Sequence, residues 1–222
     1  MVLLGIKLTG QMPFKEVYCH AMIRDAHGRK MSKSLGNVID PIDVIQGLPL
    51  AQLHDKLYEG NLDDREIAKA REGQRKDFPK GIPQCGTDAL RFALCAYSGG
   101  GRDINLEILR VEGYRKFCNK IFNATKFAML KLDEAFVPQP CIKVNVFVAS
   151  LPLSRSVDRI EQPTGKESLV EKWILHRLNI AAAEINQHLT DRNFMAATIS
   201  AYNFWLYELC DVYIVCFPLL FL

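Results

Sequence analysis

Two lysines three residues apart, Lys30 and Lys33, stand with Ser32 and Ser34 around Met31 in the stretch GRKMSKSLGN, residues 28–37. A loop that holds a triphosphate while one phosphorus is attacked needs mobile ammonium groups that follow charge onto the leaving pyrophosphate. It also needs hydroxyl or backbone donors for the phosphate oxygens. Lys30 and Lys33 supply the first, and Ser32, Ser34 and the backbone near Gly36 the second. Met31 is apolar and suited to anchor the loop while the lysines stay free. On composition alone, however, a solvated charged turn is the commoner reading of such a stretch.

Other chemistry-bearing residues carry weaker signals. The glycines of SGGGRD, residues 98–103, follow a helix and not a strand, so they read as a helix stop and link rather than a phosphate loop. Lys116, Lys120, Lys126 and Lys131 fall on or near the polar side of a long helix, where phosphate contact competes with a plain solvated face. Trp173, Trp205, Phe204 and Tyr207 have the rings to stack on unpaired bases, but both tryptophans flank apolar stripes and read as core. Seven cysteines without a C-x-x-C pair suit reduced thiols in a cytosol-like compartment. No zinc site and no tightly bound metal are expected, and His176 reads as a surface residue.

The elements that must position the lysine loop follow from patterning. Phe14 to Arg24, FKEVYCHAMIR, is short, mostly apolar and rich in β-formers, which predicts a buried strand. DAHG then turns, with Gly28 free to take a positive φ, so that Arg29 to Ser32 double back beside the strand and the loop is exposed. Asp40 as cap, Pro41 at the first position, Asp43 in the first turn and Gly47 as stop mark a short helix. Residues 47–84 are less regular, with one charged helical stretch, DDREIAKAREGQ, and read as a surface insertion. Thr87 opens a helix, TDALRFALCAY, stopped at residues 98–101.

Beyond it the pattern is one of long helices. Residues 114, 117, 121, 125, 128 and 132 share one face of a helix from about Asn105 to Leu132. Residues 141–165 read as linker, in a region broken by Pro138, Pro140, Pro152 and Pro163. Ser168 and Glu171 form an S-x-x-E capping box before a helix with Val170, Ile174, Leu178, Ala181, Ile185 and Leu189 on its apolar face. A last helix carries Phe194, Thr198, Ala201, Trp205, Leu209 and Val212. A tight link near Asp191 predicts that these two helices pack antiparallel. The expected fold is mainly α with a small α/β part, divided near Ile104 into residues 1–104 and a helical bundle over 105–222.

Bulk properties decide little. A net charge of +3 and 49% hydrophobic residues suit ordinary globular proteins and permit, without requiring, a polyanionic partner. The first residues lack the basic leader and small-residue cleavage site of a signal peptide. The terminal run VYIVCFPLLFL has 11 residues and contains Pro218, whereas a membrane-spanning helix needs about 20 apolar residues. No membrane association is expected.

The stretch RKMSKSLGNVIDPIDVI resembles the signature loop of class I aminoacyl-tRNA synthetases, with the strand before it and the helix after it. RDAHGRKMSKS, FPKGIPQCGTDALR, GRDINL, CNKIFNATKFA and FWLYELCDVY further resemble valyl-tRNA synthetases of the eukaryotic cytosolic kind. The resemblance implies the C-terminal part of a Rossmann-like catalytic domain over 1–104, then an incomplete stem-contact and anticodon-binding helical domain over 105–222. It implies that Lys33 contacts ATP and stabilises the transition state of valine activation, that Lys30 assists, and that Met31, Ser32 and Ser34 complete the ATP contacts. ATP, as its Mg2+ complex, valine and tRNA(Val) are the implied substrates, other translation factors are admissible partners, and the implied location is cytoplasmic. Arg102, Lys116 and Lys120 become candidate tRNA contacts.

The resemblance is incomplete. The H-x-G-H motif of the first half of the nucleotide fold has no match, since His20, His27, His54, His176 and His188 stand alone. The valine pocket and editing domain are likewise missing. Met1 falls inside what resembles an internal segment, and VCFPLLFL departs from the charged helix expected after ELCDVY, as in a truncated or aberrantly spliced product. The isolated chain is therefore expected to be inactive. The alternative reading is an inert remnant that acts at most as a tRNA- or partner-binding helical module.

Overall fold

The structure is a computed structural model that describes residues 1–60, 62–99, 103–132 and 167–216. A first helix, α1 (Val2–Thr9), ends at Gly10 and buries none of its residues. From Gln11 to Met22 the chain forms neither helix nor strand, and β1 covers only Ile23–Arg24. The strand expected over Phe14–Arg24 is thus confined to its last two residues, and Val17 and Tyr18 are exposed rather than buried. The reason lies in the ladder. A strand persists only where a neighbour takes up its N–H and C=O groups. β1 pairs in parallel with β2 (Ile104–Asn105), Ile23 opposite Ile104 and Arg24 opposite Asn105. One flanking bond, from Ile104 N to Met22 O, closes the ladder on the upstream side. The segment before it runs instead toward the helical half, where Tyr18 stacks edge-on against Phe194 and Glu16 pairs with Arg192.

After β1 the chain turns as expected. Gly28 has φ 76°, and Arg24 and Lys30 form an antiparallel bridge. The helix α2 (Pro41–Gln46) is capped by the Asp40 carboxylate, which accepts from Ile42 N at 2.8 Å. Next come α3 (Leu50–Asp55), a 3-10 turn over Lys56–Glu59, and α4 (Asp64–Asp77). Residues 47–84 are not a surface insertion. Leu53, Leu57, Ile67 and Ile82 are buried, and Leu48 and Ile82 exchange backbone hydrogen bonds of 2.8 Å. The high charge of this stretch masks four apolar side chains, widely spaced in sequence, that all reach the interior.

The main core gathers Val44, Leu53, Ile82 and Cys85 with Ala89, Leu90 and Ala93 of α5 (Thr87–Tyr97) and Ile108 and Val111 of α6 (Ile108–Met129). α6 begins after Asn105 because that residue belongs to β2. Its apolar stripe is buried only in its first half: Phe117 is covered, whereas Thr125, Ala128 and Leu132 are exposed.

A second core forms farther along. The Ser168–Glu171 capping box opens α7 (Leu169–Thr190), with both of its reciprocal bonds made. α8 (Phe194–Asn203) follows a three-residue link, runs on as a π-helical segment over Phe204–Tyr213, and ends with a helical turn at Ile214–Cys216. Glu184 meets Ser200 and Arg177 meets Glu208, so earlier residues of α7 face later residues of the last helix and the two run antiparallel, as expected. Ile174, Ala181 and Phe204 are buried here, with Trp173, Leu178, Trp205, Leu209 and Tyr213 packed against them. Both tryptophans are therefore core residues. Phe117 on α6 contacts Tyr202 on α8 with ring centroids 4.6 Å apart, which joins the two halves. The linker of residues 141–165 lies outside the described residues. Among those described, no helix is long and apolar enough to cross a membrane.

Candidate nucleotide-binding site

The lysine loop hangs between the Arg24–Lys30 bridge and α2. Ser32 is extended, Lys33–Leu35 form one 3-10 turn, and Gly36 closes it in the left-handed region at φ 62°. A side chain at Gly36 would be crowded, since a Cβ there would lie 3.0 Å from Ala70 Cβ on α4 and 3.1 Å from Leu57 Cδ2. The loop therefore backs onto α4 through a residue that must be small and must tolerate positive φ. Met31 packs against the main core, in the anchoring role its apolar side chain suggested. The Ser32 and Ser34 hydroxyls lie 2.7 Å apart. Lys30 and Lys33 are exposed, and their ammonium groups make no hydrogen bond or ion pair among the described residues. The five expected residues thus share one short loop on which the positive charge is unneutralised.

Sequence reasoning missed the residues that hold this loop in shape. The buried Asp25 carboxylate accepts two bonds on each oxygen. Oδ1 takes the backbone N–H groups of His27 at 3.0 Å and Arg29 at 2.8 Å. Oδ2 takes Arg29 Nε at 2.8 Å and Asn37 Nδ2 at 3.0 Å. Asn37 in turn donates from Nδ2 to Lys30 O at 3.3 Å and accepts at Oδ1 from Ser32 N at 3.0 Å. Burial pushes the Asp25 carboxyl up, but the bonds from Asn37 and Arg29 outweigh it and hold the group below its ordinary value. The one available sequence signal was an Asp three residues before the turn glycine, a pattern that favours side-chain bonding to the following backbone. Beside this network, His27 Nε2 lies 2.9 and 3.1 Å from the two Asp77 carboxylate oxygens and ties the turn to the end of α4.

A cleft of about 540 Å³ opens between the loop and α4, lined by Asn37, Gly36, Ala70, Gln74, Phe78 and others. Lys30, Ser32, Lys33 and Ser34 are absent from its lining. The lysines and serines of the loop therefore do not border this cleft.

The candidate RNA contacts separate by their partners. Lys116 is highly exposed on α6 and stands 3.8 Å from Glu112, a loose pair of the kind that contributes little. Lys120 donates to Asp211 at 2.9 Å, which raises its pKa and bonds α6 to the π-helical segment. Arg102 lies outside the described residues. No three His, Cys, Asp or Glu side chains among those described are grouped to hold a metal ion.

Comparison with known proteins matches this arrangement at two levels. A family model described as tRNA synthetases class I (I, L, M and V) matches residues 1–107, and one described as the anticodon-binding domain of tRNA ligase matches residues 171–216. The chain is 62% identical over 214 residues to the valine–tRNA ligase of Schizosaccharomyces pombe, covering 96% of this chain and 20% of that protein. It is 58% identical over 214 residues to the mitochondrial valine–tRNA ligase of Saccharomyces cerevisiae, 96% of this chain and 18% of the relative. With the human valine–tRNA ligase it shares 56% over 216 residues, 97% and 16% of the two lengths. The chain thus spans about a fifth of the length of the curated relatives it matches. The first of these ranges includes the lysine loop and the second spans most of α7 and all of the last helix as described, and the chain belongs to the valine–tRNA ligase family of class I tRNA synthetases.

Proposed function

We propose that this chain carries the lysine-loop half of an ATP-dependent valine activation site: valine and ATP give valyl-adenylate and pyrophosphate, and the valyl group then passes to tRNA(Val). The observation that carries this reading is the pair of ammonium groups, Lys30 and Lys33, without a partner among the described residues, on a loop that Met31 anchors to the core. In this reading Lys33 draws charge onto the leaving pyrophosphate, Lys30 assists, and Ser32 and Ser34 hold phosphate oxygens. ATP enters as its Mg2+ complex. The exposed Lys116, with Arg102, meets the tRNA backbone, while Lys120 serves chiefly to join α6 to the last helix. The proposed location is cytoplasmic, which the free thiols of Cys19, Cys85, Cys95, Cys118, Cys210 and Cys216 support.

The test is a segment exchange. This chain's matched stretch replaces the corresponding 214 residues of the Schizosaccharomyces pombe ligase, and valine-dependent ATP–pyrophosphate exchange is measured. Exchange at a rate comparable to the parent supports the proposal. A well-folded hybrid without exchange supports the inert, RNA- or partner-binding alternative.

A further inference from the structure

Asn37, held by Asp25, contacts the loop at the two positions that flank Met31. Asn37 bonds the carbonyl of Lys30 on one side and the N–H of Ser32 on the other. An amide is suited to this task because it offers a donor and an acceptor on one planar group. Its orientation is set by Asp25: the carboxylate accepts only, so it draws Nδ2 to itself and turns Oδ1 toward Ser32. Arg29 Nε and two backbone N–H groups fill the remaining capacity of the carboxylate, which fixes its own rotamer. Met31 also anchors this stretch to the core, but a thioether side chain with several rotatable bonds does not by itself define the backbone around it.

We propose that Asp25 and Asn37 are positioning residues that preset the backbone on both sides of Met31, so that Lys30 and Lys33 address the same phosphate chain. This inference rests on the proposed phosphate-handling role of the loop. Without the clamp the two lysines remain on the chain, but each must be ordered when the anion binds, and that ordering weakens binding.

The test uses the full 222-residue chain with inorganic tripolyphosphate as the probe, read by calorimetric titration and by hydrogen exchange at the Ser32 amide. Lys33→Ala is expected to weaken binding. Asn37→Ala is expected to weaken it about tenfold and to speed Ser32 exchange by a similar factor, since two backbone hydrogen bonds are lost. Asn37→Asp sets two carboxylates against each other and is expected to weaken binding as well. In the Asp25→Asn/Asn37→Asp double variant amide and carboxylate change places, the Ser32 N–H again meets a side-chain oxygen, and affinity recovers in part over Asn37→Asp alone. A residue that merely adds stability would not show that recovery. If Lys33→Ala weakens binding while Asn37→Ala binds as the wild type does, the positioning role is overturned and the phosphate reading stands. If Lys33→Ala leaves binding unchanged, the phosphate reading fails and the positioning role fails with it.

Discussion

At Asp25 burial and hydrogen bonding act in opposite senses on the same carboxyl group, and hydrogen bonding prevails. Its folded-state pKa lies below the unfolded value of about 3.9. The group therefore stabilises the fold fully above that pH, and the contribution is lost as pH falls from there through the folded value. Asp25→Asn should lower stability at pH 7 by about 1.5–3 kcal/mol, the worth of a hydrogen bond to a charged group. It should also lose less stability than the wild type below about pH 4. Urea unfolding midpoints between pH 7 and 2.5 check this, and parallel pH profiles would contradict it. Lys30 and Lys33 were readable in the sequence because their chemistry depends on type and spacing within one short loop. Asp25 and Asn37 were not, because their bond joins residues that become neighbours only once the turn at Gly28 and the 3-10 turn at Lys33–Leu35 have formed.

Among the elements, those with local signals formed where expected. Asp40 capped α2, and Ser168 with Glu171 capped α7. Such motifs satisfy backbone groups from within the segment, so sequence alone suffices to find them. The strand over Phe14–Arg24 failed for the opposite reason, since its bonds would have to come from other strands and, among the described residues, β2 is the one strand that meets it. The π-helical turn over Phe204–Tyr213 was equally invisible, because its apolar residues also fit ordinary helical spacing. Gly36 joins element to site: its positive φ ends the 3-10 turn, and its bare Cα lets the loop approach α4. Gly36→Ala should therefore destabilise the fold by about 1–2 kcal/mol from backbone strain alone. The contact with Ala70 adds to that cost. Thermal unfolding checks the value, and an unchanged melting temperature would show that the loop is not held against α4.

For the whole molecule, two cores are joined by α6, whose first half is buried against α5 while Phe117 and Lys120 reach the last helices. The long helices Ile108–Met129 and Leu169–Thr190 were readable because amphipathic stripes persist over many turns, whereas the contribution of residues 47–84 to the main core was not. If the helical half meets tRNA, affinity should fall steeply with salt as counterions are released. Lys116→Ala should lower the slope of log affinity against log salt by about one, and Lys120→Ala by less because Asp211 already holds that ammonium. Filter binding at graded salt reads both slopes, and salt-independent binding would contradict the proposal. The role of the lysine loop is read by valine-dependent ATP–pyrophosphate exchange in the Schizosaccharomyces pombe hybrid. Charge that moves onto pyrophosphate exists only as the reaction proceeds, so Lys33→Ala should lower the exchange kcat by about 10² to 10³ while the valine KM stays within about twofold. Lys33→Arg should restore only part of the rate, because a planar guanidinium does not follow a moving charge as a compact ammonium does. Near-normal exchange by Lys33→Ala would leave GRKMSKSLGN as a charged turn without a catalytic role.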